Sequence, residues 1–391
     1  MFSNLLRSAI VKTSHFLIFL VAICSIGCIK NPPYQPQIEF ERTYLIPGGS
    51  QIANRLIATS DRIIIVGTSI QGDDSFLNLD VIKFTGELEL NRTVGANTTG
   101  TSVKLTQNNS LILVGGITDE DGDMNVFLTK TDLEGNQIWQ KDFGGPLNEQ
   151  GQDVIELESG EFMVVGTTQS FGAGSADMYV IKTDADGNEI WSRTFGGAGL
   201  DGGSELIQIN SFEVMLLGFT GSFGAGDRDI YLQSVSTEGD SLTSFAYGGS
   251  GYEESQAIAR TSDGGYIMCN HSASTEPNHS ILTTKLDASG QVLWEQEFGT
   301  NTKHEGGEAV LADSEGNYVF VGRSNSFSDD EQVYLIKTDA EGNVLEEWVA
   351  GFELNDQRGN DIIEHDGSYF ICGTSTRFSN SVVMLKKRPI N

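Results

Sequence analysis

The sequence predicts an all-β chain folded as a closed ring of seven four-stranded sheets, a seven-bladed β-propeller. Three observations predict it. Gly is abundant, at 46 of 391 residues, and Pro scarce, at 7, a composition of many strands joined by tight turns. One pattern, KTDADGNEIWSRTFGG at 182–197, recurs along the chain with a period near 50 residues. The last unit holds three of its four strands, and a segment near the N-terminus resembles the fourth.

The chain starts with an address. Arg7 and Lys12 precede a run of apolar and small residues from Phe16 to Gly27, 12 residues long and too short to span a hydrocarbon core. It ends Ser25-Ile26-Gly27-Cys28, and a small residue just before a cysteine resembles the lipobox of bacterial lipoproteins, although Ser25 stands where an aliphatic is usual. The expectation is a lipoprotein signal peptide at 1–27, a lipidated Cys28, and a Pro-rich tether through residue 36. A plain secretory signal is the alternative. Loss of Arg7 and Lys12 leaves 22 basic against 54 acidic residues, a net charge of −32. That charge argues against nucleic acid and against docking on anionic headgroups.

The repeat occupies 37–391. Its anchors stand at 83, 130, 182, 234, 285, 337 and 386, which counts seven units. Each unit reads as a short first strand (DVIEL, 153–157), a turn, and an apolar second strand (FMVVG, 162–166). A Gly/Ser loop, a third strand (MYVIK, 178–182), the TDADGN turn and a fourth strand (EIWSRTF, 189–195) follow. No segment keeps a 3.6-residue period, so no helix is expected. At the end of the chain come NDIIEH (360–365), SYFICG (368–373) and SVVMLK (381–386), and no fourth strand. IEFERTYLIPGG (38–49) resembles one, because Arg42-Thr43-Tyr44 matches Arg193-Thr194-Phe195. That N-terminal strand should complete the last blade and close the ring by backbone hydrogen bonds.

The D-x-x-G-N-x-x-W run after an apolar strand resembles the tryptophan-docking repeat of quinoprotein-like propellers. The resemblance covers 37–391 at the level of fold. It does not extend to quinone-dependent dehydrogenases as enzymes, since the vicinal cysteines that serve their cofactor have no counterpart here. With the lipobox, the whole looks like a propeller lipoprotein of the Bacteroidota envelope. Cys269 and Cys372 fall at equivalent positions two units apart, too far for a disulfide, and read as small buried residues.

Several side chains invite a functional reading. Asp132, Asp184, Asp287 and Asp339 share one repeat position, each three residues before a glycine. Asp bonding nearby N–H groups and Gly at positive φ make a turn, and the second carboxylate drifts among Glu134, Asp186, Ser289 and Glu341, so turn chemistry is preferred to calcium. Trp139, Trp191 and Trp294 read as packing between blades. In the loops entering the first strands, Glu149, Asp201, Glu253, Glu305 and Asp356 recur at repeat spacing, with Ser50 and Thr98 in the other two blades. The loops before the third strands carry Phe171, Phe223, Phe327 and Phe378 on the same face. This predicts a ring of carboxylates and a ring of aromatics around the channel mouth, either a ligand or partner face or loop-tying and blade-plugging residues. Asp119, Asp121 and Asp123 alternate as calcium ligands do, without the distal Glu of an EF-hand loop. No other cofactor is expected.

Catalytic patterns are absent: the mature chain has only His271, His279, His304 and His365, and no P-loop, G-x-S-x-G, H-E-x-x-H or CxxC run. His304 beside Glu305 is the histidine to test, and Arg is sparse and unclustered in sequence. The expected function is a non-catalytic, lipid-anchored scaffold of the outer membrane, on either its periplasmic or surface side. It would be a monomeric propeller bound to an envelope protein such as a barrel or channel in secretion, uptake or barrel assembly. The alternative is a polysaccharide-binding or polysaccharide-acting protein using an acidic mouth.

Overall fold

The computed structural model describes residues 40–44, 49–275, 278–299, 303–351, 355–377 and 380–390. The signal sequence, Cys28, the tether and Phe378 lie outside them. Within them there are strands, turns and bends, and no helix.

The strands form seven four-stranded antiparallel sheets. Blade I spans 50–94, II 98–143, III 149–195, IV 201–247, V 253–298, VI 305–350, and VII 357–389 together with 40–44. In blade VII the strand Phe40–Tyr44 pairs with Asn380–Pro389, Arg42 opposite Leu385 and Tyr44 opposite Val383. Side chains reinforce this closure. Glu41 receives the Lys386 ammonium at 2.7 Å, and Tyr44 donates its hydroxyl to the Gly86 carbonyl in blade I.

Blade III shows how the repeat works. Its strands are Glu149–Glu156, Phe162–Thr168, Asp177–Thr183 and Glu189–Phe195. The second and third are buried on both faces, which is why they read as continuous apolar runs. The first strand begins at Glu149, earlier than the sequence predicts, because a bulge at Gln152 interrupts the alternation. The carbonyl of Gln150 presses on Gly166, leaving no room for a β-carbon there. The equivalent bulge occurs in all seven blades.

The core lies between neighbouring blades. Met163, Val165, Met178, Val180 and Trp191 of blade III pack on Leu206, Val214, Leu216 and Tyr231 of blade IV. The TDADGN turns lock these interfaces. Gly187 has φ +79, and a β-carbon on it would meet the Trp139 ring of blade II at 2.7 Å. Gly239 on Trp191 and Gly342 on Trp294 repeat the contact. Trp191 donates its indole N–H to the Thr237 carbonyl, and Trp294 to that of Ala340, each in the next blade. Within the turn, Asp184 Oδ1 accepts the N–H of Asp186 and of Asn188, and Oδ2 the Asn188 amide. These bonds hold the Asp184 carboxyl below its usual range.

Candidate functional site

Of the five repeating acids only Asp356 lines the channel mouth. Glu149, Asp201, Glu253 and Glu305 are the first residues of their blades' first strands and are buried. Each ties down its own loop. Glu149 accepts the N–H of Gly145 and of Ser170 and the hydroxyl of Thr168, the residue opposite it across the strand pair. Asp201 accepts the N–H of Gly197 and the Ser222 hydroxyl. Glu305 accepts the Ser324 and Ser326 hydroxyls.

Two members differ from the sequence reading. Asp356 is exposed and accepts the Glu331 N–H, while the buried ring position in blade VII belongs to Gln357, opposite Ser375. In blade I it belongs to buried Gln51, opposite Ser69, and not to Ser50. In six blades the position faces a Ser or Thr on the second strand, and in blade II Thr98 faces Ile117; sequence spacing alone does not reveal this register.

The aromatics stand away from the axis. Phe171, Phe223 and Phe327 are exposed and rest on Tyr179, Tyr231 and Tyr334 of the third strands, ring centroids 5.5–5.8 Å apart. Asp119 accepts the backbone N–H groups of Asp121 and Asp123, so its carboxylate caps the turn that the other two stand on. Among the described residues no three His, Cys, Asp or Glu converge as metal ligands. Cys269 and Cys372 are buried free thiols, both pushed above their ordinary pKa by burial first.

The cavity at the channel mouth, about 740 Å³, has two unlike walls. At three registers per blade a side chain faces the axis: the residue after the ring position, the bulge residue, and the residue after the second-strand glycine. Blades I–III place Ile52, Asn54, Thr101, Gln150, Gln152 and Thr167 there. Blades IV–VII keep Ser204, Gln256, Asn360 and Thr374 at these registers but add Phe219, Glu254, Glu308, Arg323 and Arg358, with His271 beside them.

The second wall is an ion-pair network. Arg323 Nη1 bonds Glu308 Oε1 at 2.6 Å, and its Nε lies 3.5 Å from Glu331, which also holds Arg358. Arg228 Nη1 bonds Glu254 and the Tyr252 hydroxyl, both at 2.8 Å, and its guanidinium covers the Phe219 ring at 4.1 Å. Tyr252 in turn donates to Glu254. Burial raises the Glu308 pKa, opposed by Arg323 and Arg358. Burial, then the Arg323 charge, pushes His271 down to about 4, so it is neutral at pH 7. Its Nε2 lies 3.7 Å from Glu308 and has no hydrogen-bond partner among the described residues.

One register deeper the channel is closed by charge. Arg55 of blade I reaches across the ring to Glu205 of blade IV, 3.2 Å away, and to Asp361 of blade VII, 3.6 Å away. Asp153 of blade III takes Lys104 at 3.3 Å and the Ser102 hydroxyl. Each acid also accepts an N–H from another first strand: Asp153 from Leu206, Glu205 from Ile258 and Asp361 from Leu56. Burial raises Glu205 and Asp361, opposed by Arg55. On Arg55, burial is outweighed by Glu205, Asp361 and Asp153, and its pKa stays above the ordinary value.

The sequence reading missed this mouth. Arg228, Arg323 and Arg358 are scattered in sequence yet share one wall, and His271, not His304, is the histidine beside it. A comparison of blades at fixed register would have found it, since Thr68, Thr167 and Thr374 become Phe219, His271 and Arg323.

No family model matches the chain, and no curated protein matches it. Solved structures do. The WD40 propeller domain of Doa1 aligns at 12% identity and TM-score 0.56, covering 89% of this chain and 96% of that one. A PL25 polysaccharide lyase, ulvan lyase bound to -[GlcA(1-4)Rha3S]-, aligns at 10% identity and TM-score 0.57 with the same coverages. Drosophila Plexin A, in complex with Semaphorin 1b, aligns at 8% identity and TM-score 0.52, covering 92% and 88%. At these identities the likeness is one of architecture alone, and the chain is a seven-bladed β-propeller closed by its N-terminal strand.

Proposed function

We propose that this propeller is a non-catalytic binding module of a bacterial envelope, held to the outer membrane by a lipid on Cys28, that receives a partner protein at the channel mouth. The observation that carries the reading is the broken symmetry of that mouth. Repetition serves the fold, so residues at the same register in every blade are accounted for by the ring itself. Arg228, Glu254, Glu308, Arg323 and Arg358 are not repeated. Their charges are paired and fixed in place, which suits complementary recognition. The closed floor makes the cavity a socket for a projecting segment.

The test is a pull-down from detergent-solubilised membranes with the native lipid anchor in place. Wild-type protein should bring down a stoichiometric barrel or channel protein, and Arg358→Glu should lose it. Recovery of the propeller alone, or a partner retained equally by both, ends the proposal. A second reading, a glycan-binding or glycan-acting mouth, is favoured by the mixture of guanidinium, carboxylate, amide and aromatic groups in one open cavity. The ulvan lyase shows that a propeller of this size serves a saccharide. Binding or turnover on a glycan panel, with no protein partner, selects that reading.

A further inference from the structure

We propose that the blade junction IV/V holds a calcium ion between Asp229 and Glu253. The site is separate from the channel mouth and does not rest on its function.

At junction IV/V, a β-carbon placed on Gly248 would lie within 2.6 Å of both Asp229 Oδ1 and Glu253 Oε2. The two oxygens therefore face each other across one small space. Asp229 and Glu253 are 0% and 2% exposed. Around Gly196, Asp177 Oδ1 and Asp201 Oδ2 repeat the arrangement within 2.5 Å of the equivalent point, at 2% and 0% exposure.

Backbone donors already hold oxygens of these carboxylates. Asp229 Oδ2 accepts the N–H groups of Ala225 and Gly226, and Asp177 Oδ2 those of Ala173 and Gly174. Glu253 Oε2 accepts the Gly249 N–H. What is left over is an acceptor without a donor. Among the described residues Asp229 Oδ1, aimed at Glu253, is buried without a hydrogen-bond partner. Junction III/IV differs, because the oxygen facing Asp177 is Asp201 Oδ2, which accepts the Gly197 N–H and the Ser222 hydroxyl. A buried anion beside a second buried anion, with an oxygen unmet, calls for a positive charge between them. Burial, and then the Asp229 charge, holds Glu253 above its usual pKa in the absence of one.

The neighbouring junctions have no such need. Around Gly144 and Gly299 the partners of Glu149 and Glu305 are Asn125 and Ser280, and Gly351 meets Gln332; each of the three carries a donor. Paired acids are therefore not a requirement of the blade. They occur only where the loops read SFGAGSAD and SFGAGDRD, followed by GGAGLD and GGSGYE. Oxygen-only ligands on flexible glycine loops favour calcium over magnesium and over the softer metals.

The experiment is calorimetric titration and thermal unfolding of the full chain, stripped with chelator, against calcium and magnesium chloride at pH 7. Saturable calcium binding at one site per chain is expected, with a melting temperature that climbs with calcium concentration and answers weakly to magnesium. Glu253→Gln should weaken that binding at least about tenfold. The wild-type titration decides even if the variant folds poorly. No saturable calcium binding overturns the proposal, and so does calcium binding undiminished in Glu253→Gln, which would place the ion elsewhere. Stability that falls from pH 5 to 8 without any response to calcium would assign a shared proton to the pair instead.

Discussion

Arg55→Met would remove the one guanidinium that crosses the channel and leave Glu205 and Asp361 facing each other across a closed floor. At an effective dielectric near 20, its contacts at 3.2 and 3.6 Å are each worth about 5 kcal/mol before desolvation. The cost of burying the guanidinium offsets much of that, and removal of one partner from a buried network typically costs about 3–5 kcal/mol. For some 350 folded residues the unfolding entropy is about 0.7 kcal/mol per degree, so the melting temperature should drop by about 4–7 °C at pH 7. The pH dependence carries the signature. Glu205 and Asp361 already have folded pKa values above their unfolded ones. A raised acid is stabilising while protonated, and that stability is lost as pH climbs through the folded pKa. Loss of Arg55 raises both further and extends this window toward neutrality. The deficit of Arg55→Met should therefore be largest at pH 7 and shrink toward pH 5, and Glu205→Gln added to it should recover part of the loss. Urea unfolding at the two pH values measures this. A deficit under about 1 kcal/mol, or one equal at both pH values, refutes the reasoning.

Asp80, buried with Asn78 and Asn91 on its oxygens, has a pKa raised by burial from 3.8 to about 6. Wild-type stability should fall by up to about 3 kcal/mol between pH 4 and 7 from this group, and a difference curve against Asp80→Asn should isolate that slope. Trp191→Ala, at a site 8% exposed that spans blades III and IV, should cost about 3–5 kcal/mol in chemical denaturation, whereas Ile190→Ala, 47% exposed beside it, should cost under about 1. Deletion through residue 47 should uncover the edge of Asn380–Pro389, lower the melting temperature and produce oligomers in light scattering, which Lys and Glu substitutions along that edge should suppress.

Much of the ring was legible because its determinants are local and repeated. The opening turn needs only Asp184, Gly187 and Asn188, all in one hexapeptide, and its period counts the blades. Closure by Phe40–Tyr44 was legible because Arg42-Thr43 repeats a fourth-strand pair seen elsewhere. The ring acids were misplaced at Asp356 and Ser50, because register depends on a partner such as Ser375 or Ser69 on another strand. The mouth was not legible, since Arg228, Glu308 and Arg358 come from loop, bulge and strand positions in three different blades and meet only after the sheets curl into a ring. The acid pairs hid for a related reason: Asp177 and Asp229 look like ordinary strand starts until the next blade sets an acid beside them.

The closing strand also governs the order in which the chain assembles. Arg42 finds its partner at Leu385, across more than three hundred residues, while the other strands of every blade pair with sequence neighbours. Hairpins and blade stacks can form as soon as their own segments exist, but the seam pays the entropy of the longest loop in the molecule. Closure is therefore the last cooperative step, and the open arc that precedes it exposes two unpaired strand edges. The interval before the ring shuts is when this protein is most vulnerable to joining a second copy end to end.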